Sequence, residues 1–356
     1  MIEVLIPAHN EELTIEKTLI SLFNQTLIPD LVIVICDNCT DGTVVKVNNV
    51  KKTYNEKIII YETVDNKGKK SGALNQVFFN FNLEGYILVM DADTVIDPKA
   101  IEVAINTLSA NKNIGAVCSR AGILQCDKKF IWNKYLWSLQ HLEYGMFDSH
   151  RLETKGKIKV AHGMATMFRA EALMSVVSYR KETQNIDRML YLEDNLVEDY
   201  ELTLCLKHEW KVTVCFDMLA WTDVPVSIKE LWRQRLRWLR GGVDCLKLHG
   251  WNNITMPEIL NHFLFVLIMV LQVIVTSISI KYLIMYGFKG FSFITATVIL
   301  IGYIDNIYRL KYVQKKTLVD YIIRLTFISE ILYGWFQAVI MIYSYILSFF
   351  RIKQRW

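Results

Sequence analysis

The sequence predicts an α/β fold: a Rossmann-like, mostly parallel sheet, followed by C-terminal interfacial and transmembrane helices. Three observations predict it. From Ile2 to Leu108, short apolar runs alternate with helical patterns, which calls for parallel strands joined by crossover helices. One run, Tyr86–Met90, stops on Asp91-Ala92-Asp93, two carboxylates one residue apart. Side chains at i and i+2 of a strand point the same way, so both acids can face one ligand at the strand's carboxyl end. Finally, the chain is 52% hydrophobic, and the excess is concentrated beyond Thr255.

Ile2-Glu3-Val4-Leu5-Ile6-Pro7 reads as a short strand that proline ends. Ala8-His9-Asn10-Glu11-Glu12 follows, with Asn10 placed to cap the helix patterned by Ile15, Leu19, Leu22 and Phe23. Leu31–Cys36 is a continuous apolar strand of the kind covered on both faces. It ends in the polar turn Asp37–Gly42, and a helix starts near Thr43. Ile58–Tyr61 is a third strand, and Asn66–Asn75 a basic, glycine-containing loop entering a helix. Tyr86–Asp91 is the fourth. These strand ends carry groups a nucleotide can use: Asp37 to accept from a base imide, Lys70 to offset diphosphate charge, and Asp91 and Asp93 as hard oxygen ligands for Mg²⁺ or Mn²⁺. A plain acidic turn is the competing reading of the Asp-Ala-Asp stretch. Neither a GxGxxG fingerprint nor a Walker A loop is present.

Further on, residues 98–108 and 130–147 read as helices, the second rich in aromatics. Ala161-His162-Gly163 precedes an apolar strand, and its small residues suit a close approach. His162 reads either as a metal or phosphate ligand or as a polar loop histidine. Glu198-Asp199 opens a helical run, where it either caps the helix or supplies a general base for a hydroxyl. Between Leu231 and Gly242, Arg233, Arg237 and Arg240 form a basic stripe beside Trp232, Leu236 and Leu239, as in a helix lying on a membrane surface. Gln234 and Trp238 share a face; Arg235 falls off the stripe.

The net charge of +4 is too mild to suggest nucleic acid, and the basic residues cluster near apolar segments, which suits an anionic lipid bilayer and a phosphate ligand. Seven cysteines without regular spacing suit a reduced, cytosolic catalytic side. The first residues enter a strand directly, so no targeting segment is read there. Ile259–Ile280 lacks Lys, Arg, Asp and Glu and would reach about 33 Å as a helix, enough to span a bilayer. Further spans are expected near 291–308 and 325–350. Arg309, Lys311, Lys315 and Lys316 place their loop, and the catalytic domain with it, on the cytoplasmic side of a multi-pass cell-membrane protein. The expected organisation is a catalytic domain over 1–225, amphipathic interface helices over 226–258 and a transmembrane region over 259–356.

Taken in order, Pro7-Ala8-His9-Asn10-Glu11, Asp37, Lys70 with Gly72-Ala73-Leu74-Asn75, Asp91-Ala92-Asp93, Glu198-Asp199 and Gln234-Arg235-Leu236-Arg237-Trp238 resemble the family 2 inverting glycosyltransferases. More narrowly they resemble the membrane branch with a QxxRW motif, the cellulose, chitin, hyaluronan and poly-N-acetylglucosamine synthases. The resemblance covers roughly the first 250 residues. It implies a GT-A fold and a nucleotide-sugar donor, usually a UDP-sugar. It implies that Asp37 contacts the uracil, that Lys70 and Pro7, Ala8, Asn10 and Glu11 contact the nucleotide, and that Asp91 and Asp93 hold nucleotide and metal. Asp199, beside Glu198, would be the general base. Gln234, Arg235, Arg237 and Trp238 would close over the diphosphate and the acceptor sugar. The acceptor would be a growing glycan or a lipid-linked sugar; transfer of one sugar to a polyprenyl phosphate is the alternative, and a non-catalytic nucleotide-binding scaffold the second. Large processive synthases carry membrane helices ahead of this domain, whereas here Met1 adjoins the first strand, so a partner subunit for export is a further expectation.

Overall fold

The computed structural model describes residues 1–54, 57–125, 130–154, 156–287, 293–326 and 328–352. The chain divides into two units. The first comprises Met1–Asp127 and Phe147–Pro225, the second Lys128–Met146 and Val226–Trp356.

The first unit is built on an eight-stranded sheet. In chain order the strands are β1 (Ile2–Ala8), β2 (Leu31–Cys36), β3 (Ile58–Glu62), β4 (Tyr86–Met90), β5 (Val95–Ile96), β6 (Ile114–Ile123), β7 (Ala165–Arg169) and β8 (Lys211–Thr222). Their spatial order is β3-β2-β1-β4-β7-β6-β8-β5. The first four run parallel, with Val4 opposite Val32 on one side and Leu88 on the other. β7 is antiparallel to both β4 and β6, and β5 is antiparallel to β8, so the sheet is mixed beyond its parallel half. The chain steps outward from β1 to β3, then returns to add β4 on the other side of β1. That reversal leaves a crevice at the carboxyl ends of β1 and β4, where open α/β sheets bind ligands.

The helices α1 (Ile15–Phe23), α2 (Thr43–Lys51), α3 (Lys69–Asn80), α4 (Ala100–Ala110), α6 (Ala170–Tyr179) and α7 (Glu198–Leu206) belong to this unit; α5 (Ile131–Glu153) gives it only its last turns. One core cluster runs from Leu5, Ile33 and Ile35 through Leu74, Val77, Ile87 and Val89 to Phe168, Leu173 and Leu202. Val32–Cys36 are buried without interruption, which is why β2 lacks the alternation of a half-exposed strand.

Two local expectations are corrected. Proline does not end β1: the strand continues through Pro7, opposite Ile35, to Ala8. Pairing with β4 stops at Leu5, so Pro7 stands where the strand has a neighbour on one side only and a missing N–H is tolerated. Asn10 does not cap α1, whose N-cap is Thr14. Asn10 is in the left-handed region (φ 59°), and its side-chain oxygen accepts from the Thr40 N–H at 2.8 Å. It thus pins the loop after β1 to the loop after β2.

In the second unit, α5 up to Met146 is joined by α8 (Ile228–His249), α9 (Met256–Tyr286), α10 (Phe293–Tyr308), α11 (Leu318–Thr326) and α12 (Ile328–Phe349). Leu136, Leu139 and Leu142 pack with Leu231, Leu310, Val313 and Ile323. Ser227 caps α8 by accepting from Glu230 N–H. Among the described residues, Met256–Tyr286 and Ile328–Phe349 are long and apolar enough to cross a membrane. The expected span near 291–308 appears as the 16-residue helix α10; Phe291, Ser292 and Phe327 lie outside the described residues. Glu330 sits in the first turn of α12, 2.6 Å from Arg324. The basic stripe of α8 is not uniformly exposed, because Arg240 is buried beside Asp244.

Candidate active site

In the first unit the turn after β4 meets the N-termini of α3 and α7. Lys70, one residue into α3, projects its ammonium between two carboxylates: 2.6 Å from Asp91 Oδ1 and 2.8 Å from Glu198 Oε1. A single cation thus ties the Asp-Ala-Asp turn to an acid pair more than a hundred residues away. Burial works against the charge on Lys70, but Asp91 and Glu198 together outweigh it and hold its pKa well above the usual lysine range.

Asp199 stands in the first turn of α7 beside this ion triplet. Its Oδ2 accepts from the Gly163 N–H at 3.2 Å and its Oδ1 from the Tyr200 N–H at 2.8 Å. Burial, and then the neighbouring Glu198 charge, push its carboxyl up to about 6, with Lys70 pulling the other way. A carboxylate poised there can take a proton from a hydroxyl near neutral pH. Gly163 explains the small residues before β7: a Cβ there would lie 2.7 Å from Lys70 Nζ and 3.3 Å from both Asp91 oxygens.

Asp93 accepts from Thr222 Oγ1 at 3.0 Å. Burial, and then the charge on Asp91, raise it to about 7, with Glu11 and Asp223 adding to the repulsion. Two crowded carboxylates that repel one another, each with oxygens only, are the donor set a hard divalent cation relieves, so the residues fit a Mg²⁺ or Mn²⁺ ion.

On the far side of β1, Asp37 is buried at the end of β2, where its Oδ1 accepts from Thr63 Oγ1 at 2.8 Å. Glu11 receives the Thr14 hydroxyl at 2.7 Å, and burial raises its pKa. Asn75 of the α3 motif clamps the chain at 190–191: its Oδ1 accepts from Leu190 and Tyr191 N–H, and its Nδ2 donates to Tyr191 O at 2.8 Å. Tyr191, Lys70, His162, Gly163, Glu198 and Asp199 line one pocket. His162 is engaged with the Ser119 carbonyl at 2.9 Å, and burial lowers its pKa to about 3, so it is a neutral wall residue. Cys36 and Cys39 are free thiols.

Sequence reasoning missed three contributors: the Gly163 N–H, the Thr222 hydroxyl and the Asn75 clamp. Gly163 had a signal as a small residue before a strand, and Asn75 as the end of the Gly72-Ala73-Leu74-Asn75 motif; Thr222 had none.

The remaining candidates, Gln234, Arg235, Arg237 and Trp238, are on α8 in the second unit. Arg235 is buried, 2.6 Å from Glu143 Oε2, with its guanidinium 4.4 Å from the centre of the Trp238 indole.

Residues 3–177 match the family model for glycosyl transferase family 2. This is a family 2 glycosyltransferase domain. The chain is 30% identical over 256 residues to a poly-beta-1,6-N-acetyl-D-glucosamine synthase of Staphylococcus epidermidis, covering 71% of this chain and 57% of that protein. It is 28% identical over 250 residues to the synthase of the same name from Staphylococcus aureus strain COL, covering 69% and 55%. The chain thus spans rather more than half the length of these relatives. Among solved structures it is similar in fold to a mannosyltransferase of Pyrobaculum calidifontis in complex with GDP-Man and Mn²⁺, with a TM-score of 0.59, 16% identity and coverage of 99% of this chain and 88% of that one. The chain is thus similar to polysaccharide synthases over about two thirds of its length and carries a family 2 glycosyltransferase domain over residues 3–177.

Proposed function

We propose that the protein is a membrane-bound, metal-dependent, inverting glycosyltransferase that moves a sugar from a UDP-sugar to a growing glycan, forming a β linkage. The observation that carries this reading is the Lys70 ammonium shared by Asp91 and Glu198, with Asp199 alongside. It joins groups suited to the leaving diphosphate and a group suited to the incoming hydroxyl in one pocket.

Asp199 takes the proton of the acceptor hydroxyl as that oxygen attacks the anomeric carbon and the bond to the diphosphate breaks. One displacement needs one base, because no sugar–enzyme intermediate forms. Negative charge collects on the departing diphosphate, and Lys70 is the cation this unit offers to it. Asp91 and Asp93 would hold a divalent ion, which would neutralise further diphosphate charge. Asp37 and the loop carrying Pro7, Ala8, Asn10 and Glu11 take the nucleoside. By family resemblance, Gln234, Arg235, Arg237 and Trp238 serve the diphosphate and the acceptor sugar. The apolar helices α9 and α12 support a multi-pass membrane setting, with the catalytic unit on the cytoplasmic side where nucleotide sugars are made.

The relatives' names make UDP-N-acetylglucosamine the first donor to try. Purified membranes would be offered that donor, UDP-glucose and GDP-mannose with Mg²⁺ or Mn²⁺, and UDP or GDP release and product mass would be read. A ladder or polymer supports glycan extension; a single lipid-linked species replaces it with transfer to a lipid acceptor. Asp199→Asn should still bind UDP yet lose transfer, and normal turnover by that variant removes Asp199 as the base.

A further inference from the structure

Arg235 is the residue of the QRLRW stretch that an amphipathic surface helix leaves unexplained. It is only 2% exposed, and its donors point into the second unit. Nη1 donates to Gln234 Oε1 at 2.6 Å and Nη2 to Glu143 Oε2 at 2.6 Å, while the guanidinium face lies 4.4 Å from the Trp238 ring centre. One cation therefore organises Gln234 and Trp238 together. A guanidinium bonded through Nη1 and Nη2 and laid against an indole is held in one orientation.

Glu143 is held in turn. The Tyr333 hydroxyl donates to its Oε2 at 2.6 Å and the Gln337 amide to its Oε1 at 3.1 Å. Both donors come from α12, one of the two helices among the described residues long and apolar enough to span a membrane. Trp232 meets Phe336 and Tyr343 edgewise or tilted, and Lys247 Nζ donates to the Ser348 carbonyl at 2.8 Å, so α12 is tied to α8 along most of its length. Helix-to-helix adhesion does not call for a partly buried carboxylate that accepts three bonds. Fixing the orientation of a planar group does.

We propose that Glu143 is a positioning residue for the QRLRW stretch. It orients Arg235, and through the cation–π contact the Trp238 indole, and Tyr333 and Gln337 anchor that grip in the membrane helix α12. The effect on sugar transfer rests on the function proposed above; the orientation of Trp238 does not.

The test uses the full chain in detergent with Glu143→Gln, Tyr333→Phe, Arg235→Met and the double variant Glu143→Gln/Arg235→Met. The first readout is the emission attributable to Trp238, taken as the parent spectrum minus that of Trp238→Phe. Glu143→Gln should shift or change its quenching, and Tyr333→Phe should do so to a smaller degree. Unchanged Trp238 emission in both overturns the proposal, whatever the enzyme transfers. The second readout is UDP release from UDP-N-acetylglucosamine with an N-acetylglucosamine oligosaccharide as acceptor. Glu143→Gln should lower kcat/KM for the acceptor by about 10- to 100-fold, with UDP affinity unchanged within about twofold. The double variant should be no worse than Arg235→Met alone. Additive losses, or equal losses of UDP binding, show a merely structural role and overturn the proposal. Should Glu143→Gln fail to fold, Tyr333→Phe, which removes one hydroxyl, decides alone. If Asp199→Asn keeps full turnover while Trp238 emission responds as expected, the function falls and the positioning role stands.

Discussion

The charge on Glu198 should set the acid limb of the rate profile. Asp199 must be ionised to act as base, and its carboxyl is pushed up to about 6, first by burial and then by Glu198. With a single base of that value, kcat/KM falls tenfold per pH unit below the limb, so at pH 5 about one tenth of the enzyme is active. Glu198→Gln removes the adjacent negative charge while leaving Lys70, which favours the ionised form, in place. Losing the cause that raises the pKa while keeping the one that lowers it moves the limb down. Burial, the first cause, persists, so the limb should stop between 3.8, the ordinary value for an aspartate, and the parent's 6. The assay is UDP release across pH 4.5–8 at donor concentrations below KM, with the maximal rate normalised out because Lys70 also loses a partner. A limb that stays put or rises in Glu198→Gln would refute both the role of Asp199 and the electrostatic account of its pKa.

Asp93 gives a linked prediction for the metal. Its carboxyl is raised to about 7, so between its ordinary 3.8 and that value the folded state binds a proton the unfolded state does not, and stability falls as pH rises through that window. A cation relieves this repulsion, so the Tm gain from Mn²⁺ should be larger at pH 8 than at pH 5.5; equal gains at the two pH values would contradict the Asp91–Asp93 site. Gly163→Ala should lower transfer by about 10- to 100-fold with the fold retained, because its Cβ would stand 2.7 Å from the Lys70 ammonium; full activity would show that the triplet tolerates displacement. Arg180 and Glu201 form an ion pair, each 0% exposed, so Arg180→Met, which strips the Glu201 carboxylate of its guanidinium, should destabilise the first unit by about 3–5 kcal/mol in thermal or denaturant unfolding.

The parallel half of the sheet was legible because β2 and β4 are uninterrupted apolar runs, a pattern that strands covered on both faces leave in the letters. The antiparallel insertion of β7 between β4 and β6 was not, since it depends on a pairing such as Leu88 with Met167 that no local period encodes. Charge made the site partly readable. Lys70, Asp91, Glu198 and Asp199 stand out as ionisable groups at strand ends and helix starts, and the fold gathers them. Uncharged helpers left little trace: the Gly163 N–H belongs to the backbone, and Thr222 ends a long strand as many threonines do. Asn10 was misassigned because its short polar side chain suits both a cap and a left-handed turn, and only the contact with Thr40 decides between them. Glu143 was invisible, an acid within an aromatic-rich helix whose partner is 92 residues away.

Helix α5 begins in one unit and finishes in the other. Leu136, Leu139 and Leu142 on its first half pack with Leu231, Leu310, Val313 and Ile323, all beyond Pro225. A soluble fragment cut at that proline would therefore carry a greasy, unroofed rod through its middle and would be prone to clump. Anyone wishing to crystallise the first unit alone would do better to replace those leucines with polar residues, or to bridge the excised segment with a short flexible tether, than to trim the chain at its obvious seam.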